Sequence, residues 1–142
     1  MTRTTSRRRA LVAALALSTM LALPATPARA DKRSDVPDWR CRIDWRNGRS
    51  AVTKLIRCAA RHWRVPGGPD KAVAVARCES GLDPRAFNGA GYAGVFQQST
   101  RYWRGRARSY GFPDWSVFNG RANVIVSIRM AHRYGWGPWG CA

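Results

Sequence analysis

Glu79 is the residue best suited to acid–base chemistry, because it is the only glutamate in the chain. We predict that it lies in the last turn of a helix, since Gly81 stands where a left-handed residue commonly ends a helix. The partial negative charge at that end disfavours an ionised carboxylate by roughly 0.3 to 1 kcal/mol. Phe87, Tyr92 and Phe96 follow closely and could desolvate the carboxyl group further. These features favour a general acid.

Metal-ligating residues are scarce in this sequence. His62 and His132 are the only histidines, and each lies beside an arginine whose charge would repel a cation. The cysteines do not form a Cys-x-x-Cys pair. We therefore predict no metal site and no cofactor.

The first thirty residues have the pattern of an export signal. A basic segment precedes an apolar stretch at 10–23, and Ala-Arg-Ala at 28–30 provides a cleavage site. The apolar stretch is shorter than the roughly 20 residues of a membrane helix. We expect a secreted, cell-wall-associated monomer without a membrane span. Ser-Arg-Arg at 6–8 leaves both the general and the twin-arginine export routes open.

The remaining residues, 31–142, suit a single domain. Residues 31–50 are polar and lack a helical apolar stripe, which predicts an irregular N-terminal arm before a folded domain at 51–142. An even number of cysteines in a small exported chain predicts two disulfides, and three pairings are possible. The four cysteines are Cys41, Cys58, Cys78 and Cys141.

The chain is strongly basic, with 25 lysines and arginines against 8 acidic residues. Five of the arginines belong to the predicted signal peptide, so 20 basic residues remain and the net charge is +12. Such a field attracts anionic polymers, either nucleic acid or an anionic cell wall. A GC-rich genome would also produce the excess of arginine over lysine. A specific nucleic-acid role is disfavoured, because export, disulfides and glycines clustered around one acid do not serve it.

Apolar periodicity predicts a mainly helical domain. A first helix spans 51–65, and a second begins at 69–70 and ends before Gly81. Glycines at 89, 91 and 94 are too dense for a helix and suit a turn or a short hairpin. Short helical segments are expected at 99–104 and 114–118. The last helix starts near Arg121 and ends at Gly135.

Three motifs occur in order along this domain. They are Cys-Glu-Ser-Gly at 78–81, Gly-Tyr-Ala-Gly-Val-Phe-Gln at 91–97 and Gly-Trp-Gly-Pro-Trp-Gly-Cys at 135–141. Their order and spacing resemble the soluble lytic transglycosylases, whose Glu-Ser precedes a Gly-Leu-Met-Gln element. The first and last motifs resemble equally the resuscitation-promoting factors of actinobacteria. The resemblance covers residues 52–141 and implies a small lysozyme-like fold. The Ala-Tyr-Asn-x-Gly element of the transglycosylases is absent.

The resemblance implies that Glu79 is the catalytic acid and that several nearby residues bind the substrate. Five of these have a structural alternative: Ser80 could bond its own helical turn, the three aromatic residues could be core residues, and Asn119 could cap the last helix. The implied substrate-binding residues are Ser80, Tyr92, Phe96, Gln97, Asn119, Asn123 and Trp136. The resemblance also implies a Cys78–Cys141 bridge, which leaves Cys41 to pair with Cys58.

The implied reaction cuts the bond between N-acetylmuramic acid and N-acetylglucosamine in peptidoglycan and forms a 1,6-anhydro product. This route needs one acid, whereas hydrolysis by a muramidase normally uses two carboxylates. Only an aspartate could supply a second carboxylate, and Asp70, Asp83 and Asp114 all have unfavourable positions in the sequence. A muramidase of the same fold and a non-catalytic wall-binding or signalling module are the alternatives.

Overall fold

The computed structural model describes residues 41–142. It is mainly helical with one small sheet, as predicted; the predicted signal peptide and residues 31–40 of the arm lie outside the described part. After a single 3₁₀ turn at Trp45–Asn47 come helices α1 (Arg49–Trp63) and α2 (Gly68–Ser80), strands β1 (Tyr92–Ala93) and β2 (Gln98–Ser99), and helices α3 (Thr100–Ser109) and α4 (Gly120–Tyr134).

Helix α4 is the centre of the domain. It has 15 residues, of which ten are buried, so most of its surface is covered by the rest of the domain. Helix α1 packs against both α4 and α2 through its apolar stripe, which includes Val52, Leu55 and Ile56. Each such side chain contributes roughly 1.5 to 3 kcal/mol on burial. Helix α1 therefore connects α2, which carries Glu79, to the central helix α4.

The ends of the first two helices differ slightly from the predicted ones. Helix α1 begins two residues earlier than expected and ends at Trp63, because Arg64 adopts a left-handed conformation with φ of 48°. Helix α2 begins at Gly68 and not at residues 69–70. Its predicted end is confirmed: Gly81 has φ of 64° and donates its N–H to the carbonyl of Arg77.

The predicted short helix at 114–118 is wrong. Asp114 adopts a left-handed conformation with φ of 63°, which a helix cannot accommodate, and the segment forms turns. The indole N–H of Trp103 donates to the carbonyl of Trp115 at 2.7 Å and holds this loop against α3. Helix α3 is correspondingly longer than expected and continues to Ser109.

Both predicted disulfides are present: Cys41–Cys58 and Cys78–Cys141. The first ties the described end of the arm to α1, and Arg121 reinforces it by donating to the carbonyl of Cys41 at 2.6 Å. The second joins the end of α2 to the end of the chain. The two bridges therefore secure opposite ends of the described chain.

The two short strands form an antiparallel hairpin, in which Tyr92 lies opposite Ser99 and Ala93 opposite Gln98. The connection turns sharply at Gly94, which has φ of 77°. A Cβ atom at residue 94 would lie 2.7 Å from the carbonyl oxygen of Val117 and would also collide with the amide of Asn123. Glycine is therefore required here by both conformation and space.

Replacing Gly94 by alanine is expected to destabilise the protein by about 2 to 4 kcal/mol, since it adds left-handed strain to a steric clash. Gly105→Ala is the matched control. Gly105 lies inside α3, and outside the backbone of its own helix and its two chain neighbours no atom lies within 4 Å of the added Cβ, so this substitution should stabilise the protein by about 0.5 to 1 kcal/mol. Urea unfolding of both variants measures the difference, and equal midpoints would contradict the assignment.

Candidate active site

Glu79 lies in the last turn of α2, where the sequence predicted it. Its side chain is half-buried, and its Oε1 atom accepts a hydrogen bond from the backbone N–H of Cys141 at 3.2 Å. Cys141 is also bonded covalently to Cys78, the residue before Glu79. The disulfide and the hydrogen bond together hold the tail next to the carboxyl group. Among residues 41–142, no lysine or arginine forms an ion pair with Glu79.

Ser80 connects the end of α2 to the hairpin. Its hydroxyl donates to the carbonyl of Val95 at 2.7 Å, lies 3.2 Å from the carbonyl of Ala76 in its own helix, and accepts from the N–H of Asp83. These contacts fix the Gly94–Gln97 connection beside Glu79. The bond within its own helical turn, which was the alternative to substrate binding, is thus present together with bonds to Val95 and Asp83.

Gln97 is partly exposed at the end of this connection and has φ of 44°. Its side-chain amide donates to the carbonyl of Gly94 at 3.0 Å and to the carbonyl of Ala86 at 3.4 Å. Both bonds use the amide nitrogen, so the side-chain oxygen is left to accept a hydrogen bond from a ligand. This is the chemistry that recognition of an N-acetyl N–H group requires.

The tryptophan-rich tail is packed into the domain. Trp136 and Trp139 are each 7% exposed, and both rings pack against Phe96, at 6.1 Å and 6.2 Å between centroids. The indole N–H of Trp139 donates to the carbonyl of Phe96 at 3.0 Å, and that of Trp136 to the carbonyl of Pro66 at 2.7 Å. Trp136 therefore anchors the tail, with little surface left for a sugar.

Two of the predicted ligand-binding side chains lie in the interior. Phe96 and Asn123 have no exposed surface, so neither can touch a ligand directly in this conformation. The amide of Asn123 accepts from the N–H of Phe96 at 2.9 Å and donates to the carbonyls of Ala93 and Val117. Asn123 thus supports the hairpin from beneath. Phe96 is therefore a core residue, which was the alternative to its substrate-binding role.

Asn119 caps α4, which was the alternative to its substrate-binding role. Its side-chain oxygen accepts a hydrogen bond from the N–H of Ala122 at 3.1 Å. A side chain committed to an N-cap satisfies one of the unpaired donors of the first turn. Asn119 therefore caps the N-terminal end of α4, while Asn123 supports the hairpin.

Gln97 also lines a pocket of about 150 Å³. Its walls include two exposed rings, Tyr92 and Tyr102, which are 45% and 55% exposed. Glu79 does not line the pocket, but Trp139, two residues before its partner Cys141, does. The lining residues are Tyr92, Gln97, Gln98, Ser99, Tyr102, Arg106, Met130, Pro138 and Trp139.

Seven of these nine residues were not predicted from the sequence: Gln98, Ser99, Tyr102, Arg106, Met130, Pro138 and Trp139. Gln98 directly follows the predicted Gln97 in the sequence. Tyr102 and Arg106 are four residues apart on α3, hence on one helical face. The sequence did not predict this shared face, because the expected helix ended at residue 104.

The other carboxylates near α2 are engaged elsewhere. Asp70 lies in the first turn of α2, nine residues before Glu79 or about 13 Å along the axis, and forms an ion pair with Arg57 at 2.6 Å. Asp83 accepts from the N–H of Arg85 at 2.8 Å, which turns its carboxylate back on its own loop. Neither aspartate is therefore paired with Glu79 as a second carboxylate.

No group of three potential metal ligands occurs among residues 41–142. Within the same range, no helix is both long enough and apolar enough to cross a bilayer. Comparison with known proteins returned no matching family model, no matching curated protein and no matching solved structure.

Proposed function

We propose that this protein is an exported enzyme that cleaves the glycan strands of peptidoglycan by the lytic transglycosylase reaction, with Glu79 as its acid. The observation that carries the proposal is the setting of Glu79. It is a half-buried carboxyl group at a helix end, held by a backbone N–H of the tail and unpaired with any cation among residues 41–142.

The reaction needs one group that first donates a proton and then accepts one. Glu79 would protonate the oxygen between N-acetylmuramic acid and N-acetylglucosamine as the bond from that oxygen to C1 breaks. The resulting carboxylate would take the proton of the C6 hydroxyl while O6 bonds to C1. The proton lost from O6 replaces the one given to the leaving oxygen, so no water is consumed.

The N–H of Cys141 supports the second half of this cycle. A hydrogen bond to an ionised acceptor is stronger than one to a neutral acceptor, so it favours the carboxylate that forms after proton donation. Since this bond goes to Oε1, the proton to be donated would reside on Oε2, which accepts no hydrogen bond from residues 41–142. The tail therefore orients the acid.

The surface charge supports a location at an anionic cell wall. Helix α3 alone carries arginines at 101, 104, 106 and 108 and no acidic residue. An array of this kind attracts anionic polymers over a range set by the ionic strength. We expect the protein to bind purified walls, with binding that weakens as salt is raised.

Digestion of purified sacculi tests the proposal. The protein should release anhydromuropeptides, which mass spectrometry identifies because they are lighter by one water than the products of hydrolysis. Reducing ends alone would make the protein a muramidase, and variants of Asp83 and Asp114 would then identify the second carboxylate. Wall binding without any product would leave a non-catalytic module.

A further inference from the structure

The pocket beside Gln97 contains a buried polar chain that the proposed reaction does not use. Gln98 is 2% exposed, and its side-chain nitrogen donates to the hydroxyl of Ser127, which is itself fully buried, at 2.8 Å. Its side-chain oxygen accepts from the guanidinium of Arg106 at 2.7 Å. The three residues form a chain from the middle of α4 to the wall of the pocket.

This chain fixes the position of Arg106. Ser127 and Arg106 lie on opposite sides of the amide, so Gln98 has one orientation that satisfies both. The guanidinium also lies 5.6 Å from the centre of the Tyr102 ring. An arginine has five N–H donors in a planar fork, and in the described structure only the bond to Gln98 engages them. Arg106 is thus held in place with most of its donors unused.

The same pocket has no anion of its own. None of its lining residues is acidic, and no ion pair involves Arg106 within residues 41–142. A positioned and uncompensated guanidinium beside exposed aromatic rings is suited to a ligand that combines a carboxylate with a sugar ring. The fork binds a carboxylate through two parallel hydrogen bonds, which an amide cannot replace.

We propose that Arg106 is a specificity-determining residue that binds a carboxylate of the glycan substrate in this pocket, held for that purpose by Gln98 and Ser127. The inference rests on the proposed function, because it assumes a peptidoglycan strand as the ligand. Two carboxylates fit the chemistry: the lactyl carboxylate of N-acetylmuramic acid without its peptide, and a carboxylate of the stem peptide. In a peptide-bearing residue the lactyl group is an amide and has no charge.

Ligand binding to the Glu79→Gln protein, measured by calorimetry, tests the inference without turnover. The probes are an alternating N-acetylglucosamine and N-acetylmuramic acid tetrasaccharide with free lactyl carboxylates, its lactyl methylamide and the same glycan bearing stem peptides. At least one carboxylate-bearing probe should bind about 10-fold more tightly than the methylamide. The preferred probe identifies which carboxylate is bound. Equal affinity for all three overturns the inference.

Variants of Arg106 in the same background locate the effect. Arg106→Gln should abolish the preference for the carboxylate, while Arg104→Gln, an exposed change on the same helix outside the pocket, should retain it. Arg106→Lys keeps a donor for Gln98 and the charge but lacks the fork, so it should also lose most of the preference. If Arg106→Gln does not fold, Arg106→Lys decides, and an unchanged preference there overturns the inference.

The inference and the proposed function can fail separately. Cleavage by the native enzyme together with equal binding of all probes would refute only the role of Arg106. A carboxylate preference that disappears in Arg106→Gln, in a protein that produces no cleavage of sacculi, would refute the enzymatic function and keep the binding site.

Discussion

Replacing Glu79 by glutamine should lower the rate of glycan cleavage by about 10³-fold, as expected for loss of a general acid. Glutamine has nearly the same shape, and its side-chain oxygen can still accept the N–H of Cys141. The fold and the attachment of the tail should therefore persist. Release of soluble muropeptides from sacculi measures the rate, and thermal unfolding monitored by circular dichroism measures the fold.

Asp83→Asn is the matched control for this substitution. Asp83 lies four residues further along, is also partly buried and also loses one negative charge, but its carboxylate bonds its own loop at Arg85. We expect this variant to keep most of the activity. If Glu79→Gln retained more than a few per cent of the native rate while Asp83→Asn was inactive, the acid would have been assigned to the wrong residue.

Removing the Cys78–Cys141 bridge by replacing both cysteines with alanine should lower both stability and activity. The bridge closes a loop with a sequence separation of 63 residues, for which chain entropy gives about 4 kcal/mol. The activity of the folded fraction should fall by about 10- to 100-fold, because the N–H that orients Glu79 would no longer be held in position. Activity is measured at a temperature well below the unfolding midpoint of the variant.

The Cys41–Cys58 bridge provides the comparison. Its sequence separation is 17 residues, which gives about 3 kcal/mol, and it joins the arm to α1 without contacting Glu79. Replacing both of these cysteines should lower the unfolding temperature comparably and leave the activity of the folded protein unchanged. An equal loss of activity in both double variants would mean that the tail acts only through stability and does not position the acid.

The helices and their ends were largely predictable, because their signals are local. The left-handed Gly81 that ends α2 was predicted from residues within one turn of it, and this placed Glu79 correctly. The prediction failed at Asp114, where a left-handed non-glycine residue breaks the expected helix. The loop that contains Asp114 is joined to α3 by the hydrogen bond from Trp103 to the carbonyl of Trp115, a contact that no local sequence pattern predicts.

The candidate site was only partly predictable. Glu79, Gln97 and the tail were found from motifs, but the motifs could not distinguish side chains that face solvent from those that support the fold. Asn123 and Phe96 belong to the second group, since both are fully buried. The distinction depends on how α4 and the tail close over the hairpin, which is a property of the packed domain.

The sequence by itself determined the single glutamate, its position at a helix end and the cysteines available to hold it. These follow from residue types and short-range periodicity, which act over one or two helical turns. Only the tertiary structure decided that Cys141, 62 residues away, donates to Glu79. It also decided that Gln98 contacts Ser127, 29 residues further along the chain, and Arg106 at the same time. Such contacts arise when distant segments are brought together by burial of the common core, and no local pattern encodes which polar groups then meet.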